Sequence, residues 1–426
     1  MTPHPNPYFW FILVAVLADF LLGRVVSWLN LRASRRGVPQ ELAGVYDDAE
    51  YRRSQAYTRA RTRLSMVSAS VGLAVLLGFW LLGGFAWLDG VAREVASSWG
   101  WLAGWQAVSS GLVFLGALGL GSSLLSLPFS AWGTFVLEER FGFNRTTLRT
   151  FLLDLVKGLL LSVVLGAPLV AAVLWLFVAA GELAWLGCWA VVSLYTLLVQ
   201  WLGPRFILPL FHEYRPLPEG ELRDAVTRLV ESQGFDLAGL FVIDASRRST
   251  KANAFFTGFG RTKRLALFDT LAEKLTVPEV VAVVAHEIGH FRSRHILKGT
   301  VLGILHSGVL LFLLSIFLDQ PGLYRAFAVE HQPIYAGLVF FAFLYTPVGR
   351  ILSIALNALS RRYEYQADRF AAQATGRPED LATAVTKLAA DHLTNLTPHP
   401  LKVKLDHSHP PLRDRLAALR DLASTA

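Results

Sequence analysis

Long apolar runs separated by polar segments dominate the chain. Seven of these runs reach the roughly 17–25 residues that a membrane-spanning helix needs. They lie at about 8–29, 66–88, 106–128, 158–180, 185–206, 301–318 and 334–352. Pro347 lies inside the last run, where a proline would kink the helix. The pattern predicts a mainly α-helical membrane protein with about seven spans.

The spans divide the chain into two parts. Five of them fall in residues 1–206, which we predict to be a transmembrane domain, and two fall in residues 207–426 together with long polar stretches. The polar stretch after the fifth span has helical periodicity over 221–235 and short strand-like runs at 239–244 and 264–271. These elements predict a small α+β unit attached to the second part.

Composition supports a membrane location. Of the 426 residues, 53% are hydrophobic and only 17% are charged, whereas a soluble domain has about 25% charged residues. The single cysteine, Cys188, lies in an apolar run, so an intramolecular disulfide or a cysteine-based metal site is excluded.

The arginines indicate the orientation of the spans. The predicted loops after the first and third spans are rich in arginine, whereas the loop at about 89–105 holds only Arg93. Positive loops face the cytoplasm, so the polar regions at 207–300 and after residue 353 are predicted to meet on the cytoplasmic side. The net charge of +8 is explained by this topology. No nucleic-acid-binding motif accompanies it, and we expect no nucleic-acid partner.

The stretch VVAHEIGHFRSRH (283–295) carries the clearest chemical signal. Thr276 and Glu279 upstream form a capping-box pattern, which predicts that a helix starts there. His286 and His290 are four residues apart, so both imidazoles project from one face and can bind one zinc ion. Glu287 lies about 100° round the helix, where it can reach a metal-bound water. This is the H-E-x-x-H arrangement of two ligands and a general base.

A catalytic zinc of this kind needs a third protein ligand and one open position. The segment ALSRRYEYQADRFAA (358–372), on the same predicted side of the membrane, places Glu364 and Asp368 on one helix face. We expect Glu364 to bind the metal and Asp368 to accept the free N–H of a histidine ligand, His286 being the first candidate. The alternative is a solvated helix with ordinary charge pairs.

Two further segments are candidates for substrate contact. The segment KANAFFTGFG (251–260) has the composition of an exposed edge strand, which could pair with an extended peptide through Asn253 and Ala254, or could be an ordinary hairpin edge. His409, in LDHSHPPLRDRL (405–416), could stabilise an oxyanion or protonate a leaving group. Its alternative is a surface histidine before a helix.

The combination of HEIGH, SRRYEYQAD and SHPPLRDRL on a seven-span chain resembles the type I CAAX prenyl endoproteases, integral-membrane zinc proteases of the Ste-twenty-four kind. EERFGFNRTT (138–147) and NAFFTG extend the resemblance over nearly the whole chain. The resemblance implies that His286, His290 and Glu364 bind zinc and that Glu287 is the general base. It also implies that Asn253 and His409 contact the substrate or the transition state.

The fold implied by the resemblance is a helical barrel around a water-filled intramembrane chamber, closed at one end by the catalytic domain. The eukaryotic members remove the last three residues from prenylated CAAX proteins. We therefore expect a membrane-embedded endopeptidase that binds one zinc ion per chain and acts on a peptide or protein substrate. Lipidated, membrane-associated and misfolded substrates are all candidates.

The excess of arginine over lysine and the single cysteine are compatible with a bacterial source, which makes a bacterial inner membrane the expected location. Two other functions are considered. A catalytically inactive zinc-binding scaffold of the same fold would keep the metal without cutting peptides. A transporter would use charged residues in the spans, of which Asp19 and Arg24 are the candidate pair, but it leaves the metal motif unexplained.

Overall fold

A computed structural model describes residues 2–98, 104–235, 237, 239–257 and 264–424. The predicted loop at 89–105 and the glycine-containing end of the segment 251–260 lie partly outside the described residues. Helices make up most of the described chain. In the first part they are α1 (Pro7–Ala33), α2 (Asp48–Leu81), α3 (Gly84–Ser97), α4 (Gln106–Trp132), α5 (Leu148–Leu161), α6 (Ala167–Ala179), α7 (Ala184–Leu202) and α8 (Leu208–Phe211).

The remaining helices follow a short polar segment. They are α9 (Glu221–Ser232), α10 (Asp269–Lys274), α11 (Val277–Arg292), α12 (His295–Leu318), α13 (Pro321–Arg325), α14 (Ile334–Leu344), α15 (Thr346–Thr375), α16 (Pro378–Asp391), α17 (Pro400–Asp406) and α18 (Leu412–Ser424). In the described residues, six helical segments are long and apolar enough to cross a membrane, and a bent pair raises the number to seven. The prediction of a mainly helical membrane protein with about seven spans is confirmed.

The second span differs from its prediction at both ends. α2 begins at Asp48, not near residue 66, because the Asp47 carboxylate accepts a hydrogen bond from the backbone N–H of Glu50 at 2.7 Å and Glu50 caps Asp47 in return. The arginines expected in a loop after residue 50 therefore lie on a polar extension of this helix. At the other end the helix stops at Leu81, and Gly83, with φ of +77°, turns the chain into α3.

Three long helical segments contain a wider π-helical turn. These turns lie at Gly133–Glu138, Ser162–Gly166 and Gly203–Ile207. Each lies close to a proline, namely Pro128, Pro168 or Pro204, and a proline removes one backbone hydrogen bond of the regular ladder. The π turn lets the helix continue past the defect, so α5 and α6 read as one span over Leu148–Ala179.

The seventh span is bent where the sequence places its proline. α14 and α15 meet at an angle of 59°, and Pro347 occupies the first turn of α15. The bend is therefore the predicted kink. α15 then continues to Thr375, well past the predicted end of the span near residue 352. The same helix that leaves the apolar region thus carries the SRRYEYQAD segment into the second, polar part of the protein.

A four-stranded sheet lies in that polar part. Its strands are β1 (Tyr214–Pro216), β2 (Gly239–Ile243), β3 (Ala254–Thr257) and β4 (Arg264–Phe268), in the order β1-β2-β4-β3. β2 and β4 are parallel, and β3 forms an edge, antiparallel to β4. The predicted strand at 264–271 is shorter than expected because Asp269 begins α10. The small α+β unit is confirmed.

One ion pair connects this unit to an apolar helix, and another connects two apolar helices to each other. Arg248, which follows β2, forms two hydrogen bonds to Asp154 of α5 at 2.8 and 3.0 Å. In α15, Arg350 donates to Asp19 of α1 at 2.7 Å. Asp19 therefore has a structural partner other than Arg24, and the pair considered for a transport path does not form.

Candidate active site

α11 presents the H-E-x-x-H motif from a helix whose start is fixed. The predicted capping box is present. The Thr276 side chain accepts a hydrogen bond from the backbone N–H of Glu279, and the Glu279 carboxylate accepts one from the backbone N–H of Thr276. Pro278 lies in the first turn of the helix. Glu279 also forms an ion pair with Lys387 of α16 at 2.7 Å. Because the first turn is held in this way, the register of the histidines three turns later is held as well.

Gly289, inside the motif, allows α11 to approach α15 closely. A Cβ atom at this position would lie 3.0 Å from the Cα of Ala367 and 3.1 Å from its carbonyl oxygen. A Cβ atom at that distance would be in tighter contact than side chains ordinarily make, so any other residue here would push the two helices apart by a few tenths of an ångström. The close approach brings the carboxylates of α15 beside the histidines of α11.

Three side chains from these two helices converge on one point. The Nε2 atoms of His286 and His290 are 3.1 Å apart. Glu364 Oε1 lies 3.4 Å from His290 Nε2, and Glu364 Oε2 lies 3.7 Å from His286 Nε2. Glu364 and His286 are buried, with relative exposures of 4% and 8%. The structure therefore brings together all three residues that the sequence analysis named as ligands.

The spacing of these atoms fits a tetrahedral metal ion. Ligand atoms at about 2.0–2.1 Å from a tetrahedral zinc lie about 3.4 Å from one another, and the three observed separations are 3.1, 3.4 and 3.7 Å. Two imidazoles and one carboxylate are also a ligand set of catalytic zinc sites. The arrangement can therefore accept zinc with one position left for water or substrate.

Asp368 and Arg415 hold the His286 ring through its Nδ1 atom, on the side opposite the Nε2 atom that faces the proposed metal position. Asp368 Oδ1 lies 2.8 Å from His286 Nδ1. Arg415 of α18 donates two hydrogen bonds to the same carboxylate, at 2.9 and 2.6 Å. A carboxylate at Nδ1 keeps the proton on that nitrogen, which leaves Nε2 free to bind a metal. The guanidinium neutralises the buried carboxylate and fixes its direction.

His290 has its own chain of partners. His295, the first residue of α12, has Nε2 at 2.9 Å from the Gln366 side-chain oxygen and Nδ1 at 3.1 Å from His290 Nδ1. An amide oxygen only accepts hydrogen bonds, so the neutral His295 ring carries its proton on Nε2. Its Nδ1 can then accept the Nδ1–H of His290. This tautomer again leaves Nε2 of the ligand free.

We expect His295→Phe to weaken metal binding by roughly 10–100-fold, the usual cost of losing an outer partner of a ligand. Phenylalanine preserves the ring that stacks on Tyr363 at 3.9 Å and removes both nitrogens. The measurement is competition for zinc with a chelator of known affinity. His306→Phe is the matched control, because His306 lies on the same helix and contacts Tyr345 instead. Equal zinc affinity in both variants would contradict the role of His295.

The two remaining catalytic candidates lie beside the ligands. Burial raises the pKa of the Glu287 carboxyl, and the neighbouring His286 and His290 act in the opposite direction. His409 Nδ1 lies 2.9 Å from Glu364 Oε2, and this hydrogen bond raises the pKa of His409. The His409 side chain is 67% exposed, so it can face a substrate while it contacts a ligand.

Asn253 and Ala254 lie at the start of the edge strand β3. The Asn253 side chain is exposed and its Oδ1 accepts from the backbone N–H of Ala254 at 2.9 Å, whereas the Ala254 side chain is buried. Because β3 is the last strand of the sheet and packs beside α11, its free edge is available to an extended peptide. Any contact by Ala254 would use its backbone.

Three residues of the site were not identified from the sequence: Arg415, His295 and Gln366. Each lies inside or beside a segment that was singled out. Arg415 is part of SHPPLRDRL, His295 ends the stretch that contains the motif, and Gln366 stands between Glu364 and Asp368. A third histidine five residues after an H-E-x-x-H pair was the signal available for His295.

Comparison with known proteins gives matches over almost the whole chain. The sequence profile described as CAAX prenyl protease N-terminal, five membrane helices, matches residues 27–213, and that of peptidase family M48 matches residues 216–423. The CAAX prenyl protease 1 homolog of Oryza sativa subsp. japonica is 33% identical over 97% of this chain and 98% of its own. CAAX prenyl protease 1 of Saccharomyces cerevisiae is 31% identical over 98% of this chain and 96% of its own.

A solved structure agrees with these sequences. The crystal structure of Saccharomyces mikatae Ste24p is 31% identical in sequence and superimposes with a TM-score of 0.92, covering 98% of this chain and all of that one. The resemblance inferred from the motifs is thereby confirmed, together with a multi-pass membrane fold and metalloendopeptidase activity on peptide or protein substrates. A transporter is not favoured. The chain belongs to peptidase family M48, in its CAAX prenyl protease branch.

Proposed function

We propose that this metalloendopeptidase works with a single zinc ion held by His286, His290 and Glu364. The observation that carries this assignment is the set of ligand-atom separations, 3.1–3.7 Å, which suits a tetrahedral ion. The burial of Glu364 is a second support, since a buried carboxylate needs a positive partner. Asp368 and His295 hold the two imidazoles in the tautomer that the metal requires.

Zinc at this point would polarise the scissile carbonyl and lower the pKa of a bound water. With the metal present, Glu287 would accept a proton from the attacking water and return it to the departing amine. Its half-buried position favours this use, because the poorly solvated carboxylate accepts a proton more readily.

His409 is proposed to stabilise the negative oxygen that develops on the carbonyl. Its Nδ1 is occupied by Glu364 at 2.9 Å, which leaves Nε2 to donate to that oxygen. Glu364 thus fixes the orientation of His409 while it binds the metal. This double use explains why a histidine with an exposed side chain can have a defined direction.

The substrate is proposed to lie along β3 as an added strand. Asn253 and the backbone of Ala254 stand at the beginning of this edge, and backbone pairing would present an extended peptide to the metal independently of its side chains. The resemblance to CAAX prenyl proteases supports lipidated or membrane-associated proteins as substrates. It also supports a water-filled chamber between the helices in which they are cut.

We keep the division at residues 206 and 207 as the proposed boundary between the transmembrane and peptidase domains, and we propose that the peptidase domain faces the cytoplasm. The arginine distribution supports the orientation. A cysteine replacing Arg223 in α9 should react with an impermeant maleimide in inverted vesicles and not in sealed right-side-out ones. Labelling in the right-side-out vesicles and not in the inverted ones would place the peptidase domain on the opposite side of the membrane. The bacterial inner membrane stays a prediction from composition alone.

The zinc assignment predicts that chelation abolishes peptide cleavage and that one equivalent of zinc restores it. The measurement is turnover of a quenched fluorescent peptide library by the full-length protein in detergent, with metal content determined on the same samples. Magnesium at the same concentration should not restore activity, because its oxygen-rich octahedral preference does not suit two imidazoles. A protein that binds one zinc and cuts no peptide would support an inactive scaffold instead.

A further inference from the structure

One face of α15 carries four polar side chains that all contact the C-terminal part of the chain. These residues are Asn357, Arg361, Glu364 and Asp368, and their spacings of four, three and four positions place them on one side of the helix. Glu364 and Asp368 belong to the proposed metal site. Asn357 and Arg361 precede Glu364 by about two turns and one turn, and they have no part in the proposed catalysis.

Asn357 and Arg361 bind the end of α17 through its backbone. Arg361 Nη1 donates to the carbonyl oxygens of Val403 and His407, at 3.1 and 2.5 Å. Asn357 Nδ2 donates to the carbonyl oxygen of Leu405 at 3.0 Å. The last four carbonyls of a helix have no intrahelical donor, and these two side chains of α15 supply donors to this end of α17.

The segment after α17 has few other contacts that could fix its position. Residues 407–411 join α17 to α18, and the last two of them are prolines, which have no N–H to donate. Across the residues that the structure describes, the backbone N–H groups of Ser408 and His409 donate no hydrogen bond to a protein group. The contact of His409 with Glu364, 2.9 Å long, therefore depends on where the end of α17 places the chain.

The Arg361 guanidinium serves these carbonyls and nothing else. In the described part of the chain it forms no ion pair and donates only to Val403 and His407. A hydrogen bond from a charged donor is stronger than one from a neutral donor, and here one nitrogen joins the last turn of α17 to the residue that leaves it. Arg362, the next residue, is exposed and makes no such contact.

We propose that Arg361 is a positioning residue for the reaction: it holds the end of α17 against α15 and thereby sets where His409 stands beside the metal position. The inference rests on the proposed role of His409 in stabilising the oxyanion. Because Arg361 and Glu364 are one turn apart on α15, a single helix fixes both the third ligand and the oxyanion donor. Such a donor must lie about 2.7–3.1 Å from the developing charge.

Replacing Arg361 with glutamine in the full-length, zinc-loaded protein should lower kcat for a quenched fluorescent peptide by about 10–100-fold, since a displacement of about 1 Å can cost on the order of 10²-fold in rate. KM and zinc content should change little, because Arg361 touches neither the peptide nor the metal position. Arg361→Lys should keep part of the activity, because an ammonium can still donate to a carbonyl. Arg362→Gln is the matched control and should behave as the wild type does.

A double-mutant cycle shows whether Arg361 acts through His409. His409→Ala alone should lower kcat by about 10²–10³-fold, as the loss of an oxyanion donor does. Adding Arg361→Gln to His409→Ala should cause almost no further loss, whereas a merely structural Arg361 would cost the same factor in both backgrounds. An undiminished loss in the His409→Ala background would overturn the proposal. A raised KM with unchanged kcat in Arg361→Gln would overturn it as well.

The mobility of the segment gives a readout that does not depend on activity. A nitroxide on Ser408→Cys reports this mobility by electron paramagnetic resonance, because Ser408 is exposed and Cys188, the single natural cysteine, is buried. Arg361→Gln should narrow the spectral lines, and Arg362→Gln should not. Unchanged spectra in Arg361→Gln would overturn the proposal, whether or not the wild type cuts peptides. Narrowed lines together with a normal kcat in His409→Ala would instead overturn the oxyanion role of His409 and leave Arg361 as the residue that positions this segment.

Discussion

Replacing Glu287 with glutamine is expected to lower kcat by about 10²–10⁴-fold, the usual contribution of general acid–base catalysis, and to leave zinc bound. Glutamine has nearly the same shape and keeps an oxygen in place, but it cannot take a proton from the attacking water. KM should change little, because the carboxylate acts on the reacting water and not on the peptide backbone. Turnover of a quenched peptide and zinc content are measured on the same preparation.

Glu273→Gln provides the matched control for that experiment. Glu273 lies on α10 and is exposed, so the same chemical change there should alter neither kcat nor zinc content. If the Glu287→Gln variant keeps more than a tenth of the wild-type kcat with full zinc content, the proton is accepted elsewhere. His409 would then be the next residue to replace, because it lies beside the same ligand.

The long apolar runs predicted the membrane helices, because a helix that is buried in lipid needs apolar residues along its whole length. This signal failed at the polar end of α2. A helix that emerges from the membrane into water has no continuous apolar run, and only its caps mark its start. Asp47 and Glu50 form such a cap, but acidic residues three apart are common in polar segments. The sequence pattern therefore predicts a loop for the arginines beyond them.

Local spacing predicted that the two proposed ligands on α11 lie together, since two histidines four residues apart must share a helix face. The third ligand required a tertiary assumption, that α15 packs against α11, and the structure shows why the packing is close. Gly289 removes the Cβ that would meet Ala367. The sequence alone does not show that a glycine between two histidines permits close helix packing, since this effect depends on which residue faces the glycine.

The supporting residues could not be predicted in the same way. Arg415 reaches Asp368 from α18, 47 positions later in the chain, and no periodicity links the two. His295 begins a new helix after Arg294, which adopts a left-handed conformation with φ of 57°. That reversal directs His295 back towards His290. The outer partners of this site thus depend on turns and helix contacts, whereas the two proposed histidine ligands follow from spacing along one helix.

Glu364→Ala is expected to lower zinc affinity by at least about 10³-fold, well beyond the roughly 10–100-fold that loss of an outer partner costs. Glu364 is the one anionic group among the three proposed ligands. Asp368, the other buried carboxylate that contacts His286, is already neutralised by two hydrogen bonds from Arg415, so Glu364 is the group left to offset the charge of the metal ion. Its removal leaves two neutral imidazoles facing a dication, and peptide cleavage should disappear with the metal.

Asp368→Asn and Glu379→Ala give the graded controls for this loss. Asparagine keeps an oxygen that can accept the His286 Nδ1–H, so the zinc affinity of Asp368→Asn should fall only about 10–100-fold. Glu379 is exposed on α16, and its replacement should have no effect. Zinc content after dialysis against a chelator gives the order of the three variants. If Glu364→Ala retains zinc as the wild type does, the third ligand must come from another residue, and His409, whose Nδ1 lies 2.9 Å from the Glu364 carboxylate, is the nitrogen best placed to supply it.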